Sequence, residues 1–557
     1  MNLSRYTKLF HTVRYLKPGQ IGYRLYYRLK RPNIRQAETA NTRVWVSEWA
    51  GERFMTAMTQ DGSRFTFLGH SAVVGADWND ATFPKLWLYN LHYLDNLNSI
   101  KSEQQDDINR RLVARWIEAN PVMQGNGWEP YVISLRAVNL VKWFSRQSEL
   151  QVGWLASLAT QAQALEKQLE HHILGNHLFA NGKALVFVGA YLSGSDADRW
   201  LAKGLKILDN EIAEQFLDDG AHFELSPMYH ATLVWDVCDL VHLAEVTQLP
   251  DLVARAALWK GVVVRGLGWL QSMVHPDGGI SFFNDAAFGI APNLTDIKRY
   301  AQQVGCLPKP EAKSDGAAEK GWVSIQHRES GYVTVDEALS QHRAILDLAK
   351  VGPDYQPGHA HADTLSFELS LFGQRVLVNS GTSQYGDDAE RHRQRSTAAH
   401  NTVEIDGQNS SEVWGGFRVA RRGYPSNKIN DQQGGRVLVS ASHTGYLRLP
   451  GKVTHHREWQ FYPDTFQVKD TLAGDFTRAL ARFYCHPSVS VATLDANSLL
   501  LTLPGGKTLT VKVAGARALN VIDSTWHPRF GEIVKNQCVV VEFGGRELTT
   551  LFEWSNN

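Results

Sequence analysis

The sequence lacks an excess of charge of either sign. Lysine and arginine together number 57, and aspartate and glutamate also number 57, so the formal net charge of the 557-residue chain is zero. Nucleic-acid-binding proteins usually carry a clear basic excess. We therefore expect no nucleic-acid partner, although the balance is compatible with a local basic patch.

Cysteine is scarce, and the few cysteines lie far apart. Cys238, Cys306, Cys485 and Cys538 form no C-x-x-C pair. Thiolate metal sites and disulfide frameworks depend on more and closer cysteines than these. We interpret the four as separate, half-buried thiols.

Long hydrophobic runs are also missing. No apolar stretch approaches the ~18 residues that cross a bilayer, so we predict no integral membrane segment. Charged residues such as Arg5, Lys8 and Arg14 interrupt the basic, tyrosine-rich segment 1–32, which therefore has no recognisable secretory signal. The sequence favours a cytoplasmic location and leaves a periplasmic one open. A basic amphipathic contact between this segment and a membrane surface is also compatible with it.

The composition that is present predicts large folded cores. Hydrophobic residues make up 43% of the chain and aromatic residues 10%, which excludes general disorder. The length predicts about two to four domains. We divide the chain into an N-terminal extension packed on the next domain (1–80), a helical domain (81–310) and a strand-rich domain (321–557), with a linker at 307–320. The oligomeric state is not predicted.

Apolar residues recur at three- and four-residue spacing from about residue 85 to 305. This spacing is typical of amphipathic helices. Successive helices with short joints predict stacked antiparallel pairs, and the pattern does not distinguish a toroid from a solenoid. The clearest stripes are Leu155, Leu158, Ala162, Leu165 and Leu169; Leu201, Leu205, Leu208, Ile212 and Phe216; and Tyr229, Leu233, Val237 and Leu240.

The period becomes two from about residue 320. Residues 364–371 alternate strictly between polar and apolar, and 372–375 predict a turn into a second strand. Many short strands with glycine turns predict an antiparallel sandwich. The other predicted strands are 331–336, 402–405, 436–440, 459–469, 498–503, 508–513 and 539–543.

Tryptophan is abundant, and twelve of the seventeen precede residue 310. We expect most of them in the packing between helices. An indole that lines a groove would instead stack on a sugar ring. Trp128 is the best candidate because it follows the glycine-containing segment 125–127, and loops often carry binding sites.

Two histidine segments in the second half are candidates for chemistry. His359 and His361 lie two residues apart, so in an extended backbone both would face the same side. Together with Asp363 they suit zinc, although a surface loop also brings two histidines together by chance. His400 leads into a predicted strand, where a lone histidine is more often structural.

The helical half adds two further candidates. Asn176 and His177 follow an amphipathic helix, in a place where asparagine is also common as a helix cap. Tyr229 lies in the first turn of a helix that Ser226 and Pro227 begin. Its hydroxyl would project into a groove, or else the ring packs in the core.

These segments, taken in order, resemble the heparinase II/III-type polysaccharide lyases, which include alginate lyases of similar architecture. The motifs are Asn176-His177, Ser226-Pro227-x-Tyr229-His230, His359-x-His361-x-Asp363, Gly381-Thr382-x-x-Tyr385 and His400-Asn401-Thr402-Val403. They span about 85–420, and five in order are specific to the superfamily but not to a substrate. The resemblance implies an α+β multidomain fold, an N-terminal incomplete α/α toroid followed by a C-terminal antiparallel β-sandwich, with the active groove at their junction.

The resemblance also implies a lyase that cleaves a uronic-acid polysaccharide by β-elimination. Removal of the C5 proton leaves negative charge on the uronate carboxylate, which amide and imidazole donors neutralise. By the resemblance, Asn176 and His359 hold the carboxylate and His177 supports them. Tyr229 and Tyr385 would transfer the protons.

Four more residues complete this expectation. A tyrosine that acts as a base needs its pKa lowered from ~10 by nearby cations, for which Arg393 and Arg395 are candidates. We assign Arg395, His230 and Trp128 to substrate binding. The expected partner is an acidic polysaccharide: a glycosaminoglycan, alginate or a bacterial exopolysaccharide.

The resemblance further implies a structural zinc site made by His361, His400 and an acidic residue after the next strand. Asn379 stands where the aspartate is usual. Its neutral carbonyl oxygen is a weaker ligand than a carboxylate, so zinc is expected to bind weakly. In the relatives the metal organises a loop, so its loss need not abolish elimination.

Two other functions stay open at this stage. A glycoside hydrolase on the same toroid would need two carboxylates ~5 to 10 Å apart, and Glu129, Glu224 and Asp285 are available without any spacing that selects a pair. A catalytically silent acidic-glycan-binding protein of exopolysaccharide assembly is the other alternative. Asn379 and the missing export signal motivate it.

Overall fold

The structure is a computed structural model that describes residues 3–30, 32–307 and 321–555. The predicted linker at 307–320 lies outside the described residues except for Leu307. No helix within the described ranges is both long and apolar enough to span a bilayer.

The first part of the chain is helical, and one helix start shows clear capping chemistry. Ser226 accepts a hydrogen bond from the backbone N–H of Tyr229 at 3.2 Å, and Pro227 occupies the first helical position, where its missing N–H costs nothing. The helices are α1 (Leu3–Val13), α2 (Pro18–Leu29), α3 (Lys85–Tyr93), α4 (Asp106–Ala119), α5 (Pro130–Phe144), α6 (Trp154–Glu166), α7 (Gly175–Tyr191), α8 (Ser195–Gln215), α9 (Pro227–Thr247), α10 (Pro250–Ser272) and α11 (Leu294–Gln303).

Helix α7 lies at the centre of the helical domain and is buried along almost its whole length. Glycines bring it close to α8. A Cβ atom on Gly204 would lie 2.7 Å from the carbonyl oxygen of Gly182, and one on Gly189 would lie 2.5 Å from the backbone nitrogen of Leu201. The two helices therefore touch backbone to backbone along the middle and the C-terminal part of α7.

The second part is built from antiparallel strands. A short hairpin, β1 (Arg64–Phe67) and β2 (His70–Val73), precedes the helical domain, and a short helix, α12 (Ala389–Gln394), interrupts the strands. The strands are β3 (Val323–His327), β4 (Tyr332–Glu337), β5 (His342–Asp347), β6 (Phe367–Leu371), β7 (Gln374–Leu377), β8 (Val403–Ile405), β9 (Val413–Trp414), β10 (Arg418–Val419), β11 (Pro425–Gln433), β12 (Arg436–His443), β13 (Thr454–Tyr462), β14 (Thr465–Ala473), β15 (Ala479–Tyr484), β16 (Ser490–Asp495), β17 (Ser498–Thr502), β18 (Thr508–Ala514), β19 (Ala516–Trp526), β20 (Val534–Phe543) and β21 (Glu547–Trp554).

Three larger sheets enclose the second core. Their strand orders are β3-β4-β5-β6-β7, β11-β12-β13-β14-β21-β18-β17-β16 and β19-β20-β15-β8. Alternate residues of β13 and β14 point inward, in keeping with the period of two. Phe367, Phe466, Phe483 and Phe552 meet edge to face or stacked in the core between the sheets.

Two strand predictions need correction. Residues 459–469 are not one strand but parts of β13 and β14, which a turn at Pro463 and Asp464 joins. The alternating segment 364–371 is a strand only over β6, and both of its faces are buried. Its polar face packs on the helical domain, where His275 lies 2.8 Å from Ser370 Oγ and 2.9 Å from Glu368 Oε2.

Residues before Lys85 contact both domains, whereas the sequence predicted packing on the helical domain alone. Tyr27 in α2 donates a hydrogen bond to the carbonyl oxygen of Leu169 at 2.5 Å. In α1, Thr12 Oγ1 accepts a hydrogen bond from the Trp414 indole at 3.0 Å. The two N-terminal helices thus lie across the junction between the domains.

Candidate active site

A groove of about 460 Å³ lies where the helical domain, the segment around 52–68 and the strand-rich domain meet. Helices α5, α7 and α9 supply nearly half of the residues that line it. Asn176, Tyr229 and Tyr385, three of the predicted catalytic residues, line it. Phe530 adds an apolar edge from the strand-rich domain. The groove therefore places residues from both domains on one surface.

The two tyrosines form a pair. Tyr229 and Tyr385 are 156 residues apart in sequence, yet their hydroxyl oxygens lie 2.8 Å apart. The His359 ring stacks on Tyr229 with ring centroids 3.9 Å apart. The Arg391 guanidinium lies 5.0 Å from the centre of the Tyr385 ring. Because the hydroxyls share a hydrogen bond, removal of one proton leaves a phenolate that its neighbour stabilises.

The environment of the tyrosines differs from the sequence expectation. Burial raises the pKa of both Tyr229 and Tyr385 well above the usual value, so both carry their protons near neutral pH in the free protein. Arg393 binds Glu390 at 2.7 Å instead of a tyrosine. The predicted lowering of the tyrosine pKa by Arg393 and Arg395 is therefore wrong, and Arg391 is the arginine at this site.

Asp285 connects the two histidines to Arg391. Its carboxylate oxygens lie 3.0 Å from His359 Nδ1 and 2.9 Å from His361 Nε2, and both terminal nitrogens of Arg391 donate to it. Burial would raise the pKa of Asp285, but Arg391 and the histidines hold it well below its usual range. The buried carboxylate is thus ionised, and it fixes the orientation of both imidazoles.

Asn176 presents an amide with unused hydrogen-bonding capacity. The residue is only 5% exposed, and its Oδ1 atom finds no partner among the described residues. Its backbone N–H donates weakly to Glu224 at 3.5 Å. Glu224 in turn lies 3.6 Å from His359 Nε2, and burial raises the pKa of its carboxyl group. A buried polar atom without a partner is costly, so this side chain suits a ligand that enters the groove. Because Oδ1 only accepts hydrogen bonds, an anionic ligand would bind through the amide nitrogen.

His177 stands beside the groove. Its Nδ1 atom lies 2.9 Å from Glu170 Oε1, and its ring packs on Tyr131 with centroids 4.4 Å apart. Burial alone would lower the pKa of His177, but the Glu170 carboxylate raises it overall. Asn181 donates to the other oxygen of Glu170 at 2.9 Å and holds this carboxylate in place. His177 therefore offers positive charge next to Asn176.

His361 and His400 face each other through ring nitrogens that carry no proton. His400 Nδ1 donates to the carbonyl oxygen of Ser396 at 2.7 Å, and His361 Nε2 donates to Asp285. In the neutral tautomers that these acceptors require, His361 Nδ1 and His400 Nε2 carry no proton, yet they lie 3.1 Å apart. Burial lowers the pKa of His361 and lowers that of His400 to about 4, which favours these neutral forms. Two lone pairs at this distance repel unless a cation lies between them.

A carboxylate completes this group, but it belongs to Asp363. Ligand atoms of His361, Asp363 and His400 all lie within 4.8 Å of one another, and all three residues are buried. Asn379 does not take the place predicted for it, because its Oδ1 accepts the backbone N–H of Asn401 at 3.1 Å. Its amide nitrogen lies 3.4 Å from Ser366 Oγ. The donors therefore fit a zinc-like ion, with Asp363 in place of Asn379.

The three residues assigned to substrate binding lie elsewhere. Trp128 is 5% exposed and packs on Trp116, so its face is not available to a sugar. His230 is fully buried, accepts the His222 backbone N–H at 3.0 Å and contacts the Gly266 carbonyl at 2.8 Å. These two predictions are wrong because the side chains serve the helical core.

Arg395 is also structural. Its guanidinium is fully buried and donates to the carbonyl oxygens of Ala360, Gly415 and Arg418 at 2.9–3.3 Å. It thus supports the backbone next to His359 and His361 without reaching the groove. The prediction that Arg395 binds substrate is therefore wrong.

The charges deeper in the groove are paired with one another. Lys142 lies 2.5 Å from Asp239, and Lys183 lies 2.6 Å from Asp236 and 2.5 Å from Asp239. Tyr300 donates a further hydrogen bond to Asp239 at 2.8 Å. The remaining lining is largely apolar and includes Phe54, Met58, Leu135, Val138, Trp235 and Ile290. The groove therefore holds few cations that are free to bind an additional anion.

A groove at the junction of a helical toroid and an antiparallel sandwich, with an asparagine and tyrosines at its wall and histidines packed beside them, is the architecture of a class of polysaccharide lyases. Two family models match the chain: the heparinase II/III N-terminus at residues 53–310 and the heparinase II/III-like C-terminal model at residues 320–555. The chain belongs to the heparinase II/III family. The predicted α/α toroid followed by an antiparallel β-sandwich is confirmed.

Individual relatives agree with this assignment. A heparin-sulfate lyase from Bacteroides thetaiotaomicron is 23% identical over 467 residues, which cover 74% of this chain and 64% of the relative. One from Pedobacter heparinus is 26% identical over 319 residues, 53% of this chain and 47% of the relative. The matches thus span about half to two thirds of the curated relatives. The crystal structure of heparinase III superimposes with a TM-score of 0.70 at 18% identity, covering 97% of this chain and 92% of that one.

Proposed function

We propose that this protein is a polysaccharide lyase that cleaves a uronic-acid-containing glycan of the glycosaminoglycan type by β-elimination. The observation that carries the proposal is the 2.8 Å hydroxyl pair of Tyr229 and Tyr385 in one groove with Asn176, whose buried Oδ1 atom has no partner among the described residues. Family membership and relatives named heparin-sulfate lyases support it.

In this mechanism the uronate carboxylate enters between Asn176 and the histidines. The Asn176 amide donates to it, and His177 and His359 supply imidazole donors, so the negative charge that develops on removal of the C5 proton is neutralised. The tyrosine pair takes the C5 proton as a phenolate and returns a proton to the leaving oxygen. Asp285 and Glu224 orient His359 from behind.

We further propose that the preferred glycan carries carboxylates but few sulfates. Asp236 and Asp239 neutralise Lys142 and Lys183, so these buried lysines are already paired and are not available to bind sulfate groups. Arg53, the other basic residue of the lining, forms an ion pair with Glu103. The apolar part of the lining suits the methyl group of an N-acetyl or O-acetyl substituent.

The experiment is a panel assay for unsaturated ends by ultraviolet absorbance. We expect activity on at least one uronate polymer, and a higher kcat/KM on an unsulfated glycosaminoglycan than on heparin. Tyr229→Phe should bind the substrate and lose turnover. Reducing ends without double bonds would instead indicate the hydrolase alternative, and binding without any product would indicate the silent glycan-binding alternative.

The geometry does not favour the hydrolase alternative. A glycosidase needs one carboxyl group that holds a proton and a second that acts as base or nucleophile. Asp285 is ionised and fully engaged by Arg391, His359 and His361. Glu129 pairs with Lys85 at 3.1 Å and accepts from Tyr89, which leaves Glu224 without a matching partner among these three candidates.

We also propose that His361, Asp363 and His400 hold a zinc ion. Nitrogens that share one tetrahedral zinc at ~2.0 Å lie about 3.3 Å apart, close to the 3.1 Å between His361 Nδ1 and His400 Nε2. Bound zinc would supply a structural crosslink beneath the site. Coordination of both nitrogens would also remove the repulsion between their lone pairs.

Metal analysis of the purified chain tests this proposal. We expect about one zinc per chain, lost together with several degrees of thermal stability in a chelator. A second histidine pair is the control: His443 Nδ1 accepts the Gly445 N–H, so its Nε2 can donate to His455. His400→Ala should lose the zinc and His443→Ala should keep it. The proposal would be refuted if the purified chain held no zinc and its thermal stability were the same with and without the chelator.

A further inference from the structure

The first two helices carry basic charge without any acidic residue. The whole chain is neutral, yet residues 3–30 contain no aspartate or glutamate. The basic residues of this segment are Arg5, Lys8, Arg14, Lys17, Arg24, Arg28 and Lys30. This local excess departs from the overall charge balance of the molecule.

Helix α1 is amphipathic in the reverse sense to an ordinary surface helix. Lys8, His11 and Thr12 lie on its half-buried side, and Thr12 accepts the hydrogen bond from Trp414. Leu9 and Phe10 lie on the opposite side and are exposed, Phe10 to 66%. A surface helix normally turns its apolar stripe toward the protein and its polar face to solvent. Here the apolar stripe faces outward.

Helix α2 repeats the arrangement. Gln20, Tyr23 and Tyr27 form its inner side: Gln20 is buried, Tyr23 stacks on His171 and Tyr27 binds the Leu169 carbonyl. The outer side presents exposed apolar residues at four-residue spacing. These are Ile21, Leu25 and Leu29, of which Leu29 is 88% exposed.

We propose that the outer face of α1 and α2 docks on an anionic lipid surface. The face combines exposed leucine, isoleucine and phenylalanine side chains with the exposed basic residues Arg5, Arg14 and Arg28, and this combination is typical of helices that lie in a membrane interface. Lysine and arginine side chains are attracted to the charge of an anionic bilayer, and the exposed apolar side chains add burial in the acyl region. A folded protein partner would have to supply both an apolar groove and an acidic rim.

The inner faces of the helices make such docking compatible with the fold. Lys17 pairs with Glu214 and lies 3.8 Å from the centre of the Tyr355 ring, and Arg422 lies 3.8 Å from the centre of the Tyr15 ring. These contacts hold both helices on the body of the protein, so the outer face is presented without unfolding. The docking does not depend on the proposed lyase activity.

The test is flotation of the full chain with vesicles. The protein should float with vesicles of phosphatidylcholine that contain phosphatidylglycerol, and it should not float with vesicles of pure phosphatidylcholine. Binding should weaken as salt rises, because salt screens the basic face. The apolar variant Leu9→Gln/Phe10→Gln/Leu25→Gln and the charge variant Arg5→Gln/Arg14→Gln/Arg28→Gln should each lower the partition coefficient at least about tenfold, which is ~1.4 kcal/mol.

A matched control uses exposed apolar residues elsewhere. Val253, Leu258 and Val264 on α10 are exposed to a similar degree, and their triple glutamine variant should bind vesicles like the parent protein. Equal binding to neutral vesicles, no binding at all, or unchanged binding of the apolar variant would overturn the proposal. A dimer in sedimentation that the apolar variant abolishes, without vesicle binding, would overturn it in favour of a second copy.

Discussion

At the scale of single residues, the unpartnered amide of Asn176 gives the sharpest expectation. We expect Asn176→Ala to lower kcat about 10²- to 10³-fold, because one preorganised donor to a developing anion is lost. Since the Oδ1 atom has no partner among the residues that the structure describes, thermal stability should not fall. Initial rates by absorbance and a melting curve check both parts. A loss of stability equal to the loss of activity would point to a structural role instead.

The tyrosine pair predicts a pH dependence. Burial raises the pKa of Tyr229 and Tyr385, so the phenolate that acts as base is a minor species at neutral pH. As the pH rises toward the pKa of the pair, kcat/KM should increase roughly tenfold per pH unit. Tyr385→Phe removes the hydrogen bond to the phenolate and should move this rise to higher pH. A rate that stays flat from neutral to alkaline pH would contradict the assignment.

Sequence reasoning found some site residues and missed others for a physical reason. Asn176, Tyr229 and His359 stand in motifs whose order along the chain is informative. Asp285 and Arg391 stand in no motif, and their importance arises only because the fold brings them together over 106 residues. The burial of Trp128 was equally hidden, since an indole after a glycine loop looks the same in sequence whether it faces a groove or a core.

At the scale of elements, the contact between α7 and α8 gives a stability prediction. A Cβ on Gly204 would lie 2.7 Å from the Gly182 carbonyl oxygen and 2.8 Å from the Val186 nitrogen, so the helices would have to separate. We expect Gly204→Ala to lower the free energy of unfolding by about 1–3 kcal/mol. Gly268 on α10 has no atom within 4 Å of its Cβ position, so Gly268→Ala should raise it by about 0.5–1 kcal/mol. Urea unfolding of both variants checks the difference, and equal effects would contradict the close packing.

The hydrophobic periodicity predicts whether a segment is a helix or a strand better than it predicts which surface each face packs against. The strict alternation of 364–371 identified β6, but the polar side turned out to face the helical domain, where His275 satisfies Glu368 and Ser370. The sequence predicts one strand across β13 and β14 because the turn between them has no glycine. Pro463 and Asp464 are turn residues that could have revealed it.

At the scale of the whole molecule, Asp285 joins the two domains electrostatically. Asp285→Asn would leave Arg391, which is fully buried, without its counter-ion. Loss of one partner of a buried ion pair costs about 3–5 kcal/mol, and we expect a fall of this size in the free energy of unfolding. The control is Arg546→Gln, since the pair of Arg546 and Asp475 is largely exposed and is worth less than ~1 kcal/mol. Comparable urea midpoints for the two variants would contradict this role of Asp285.

The carboxylate of Asp285 also bears on how such proteins can recombine. The family is recognised by two separate models that meet between residues 310 and 320, as if each half were a module. The acid lies before that point, and His359, His361 and Arg391 lie after it. A chimera of two relatives would inherit both folds, yet it would have a working centre only if the acid and its three partners were inherited as a matched set. The point where the two halves join in the chain therefore does not separate the residues that form the centre, because that centre draws on both halves.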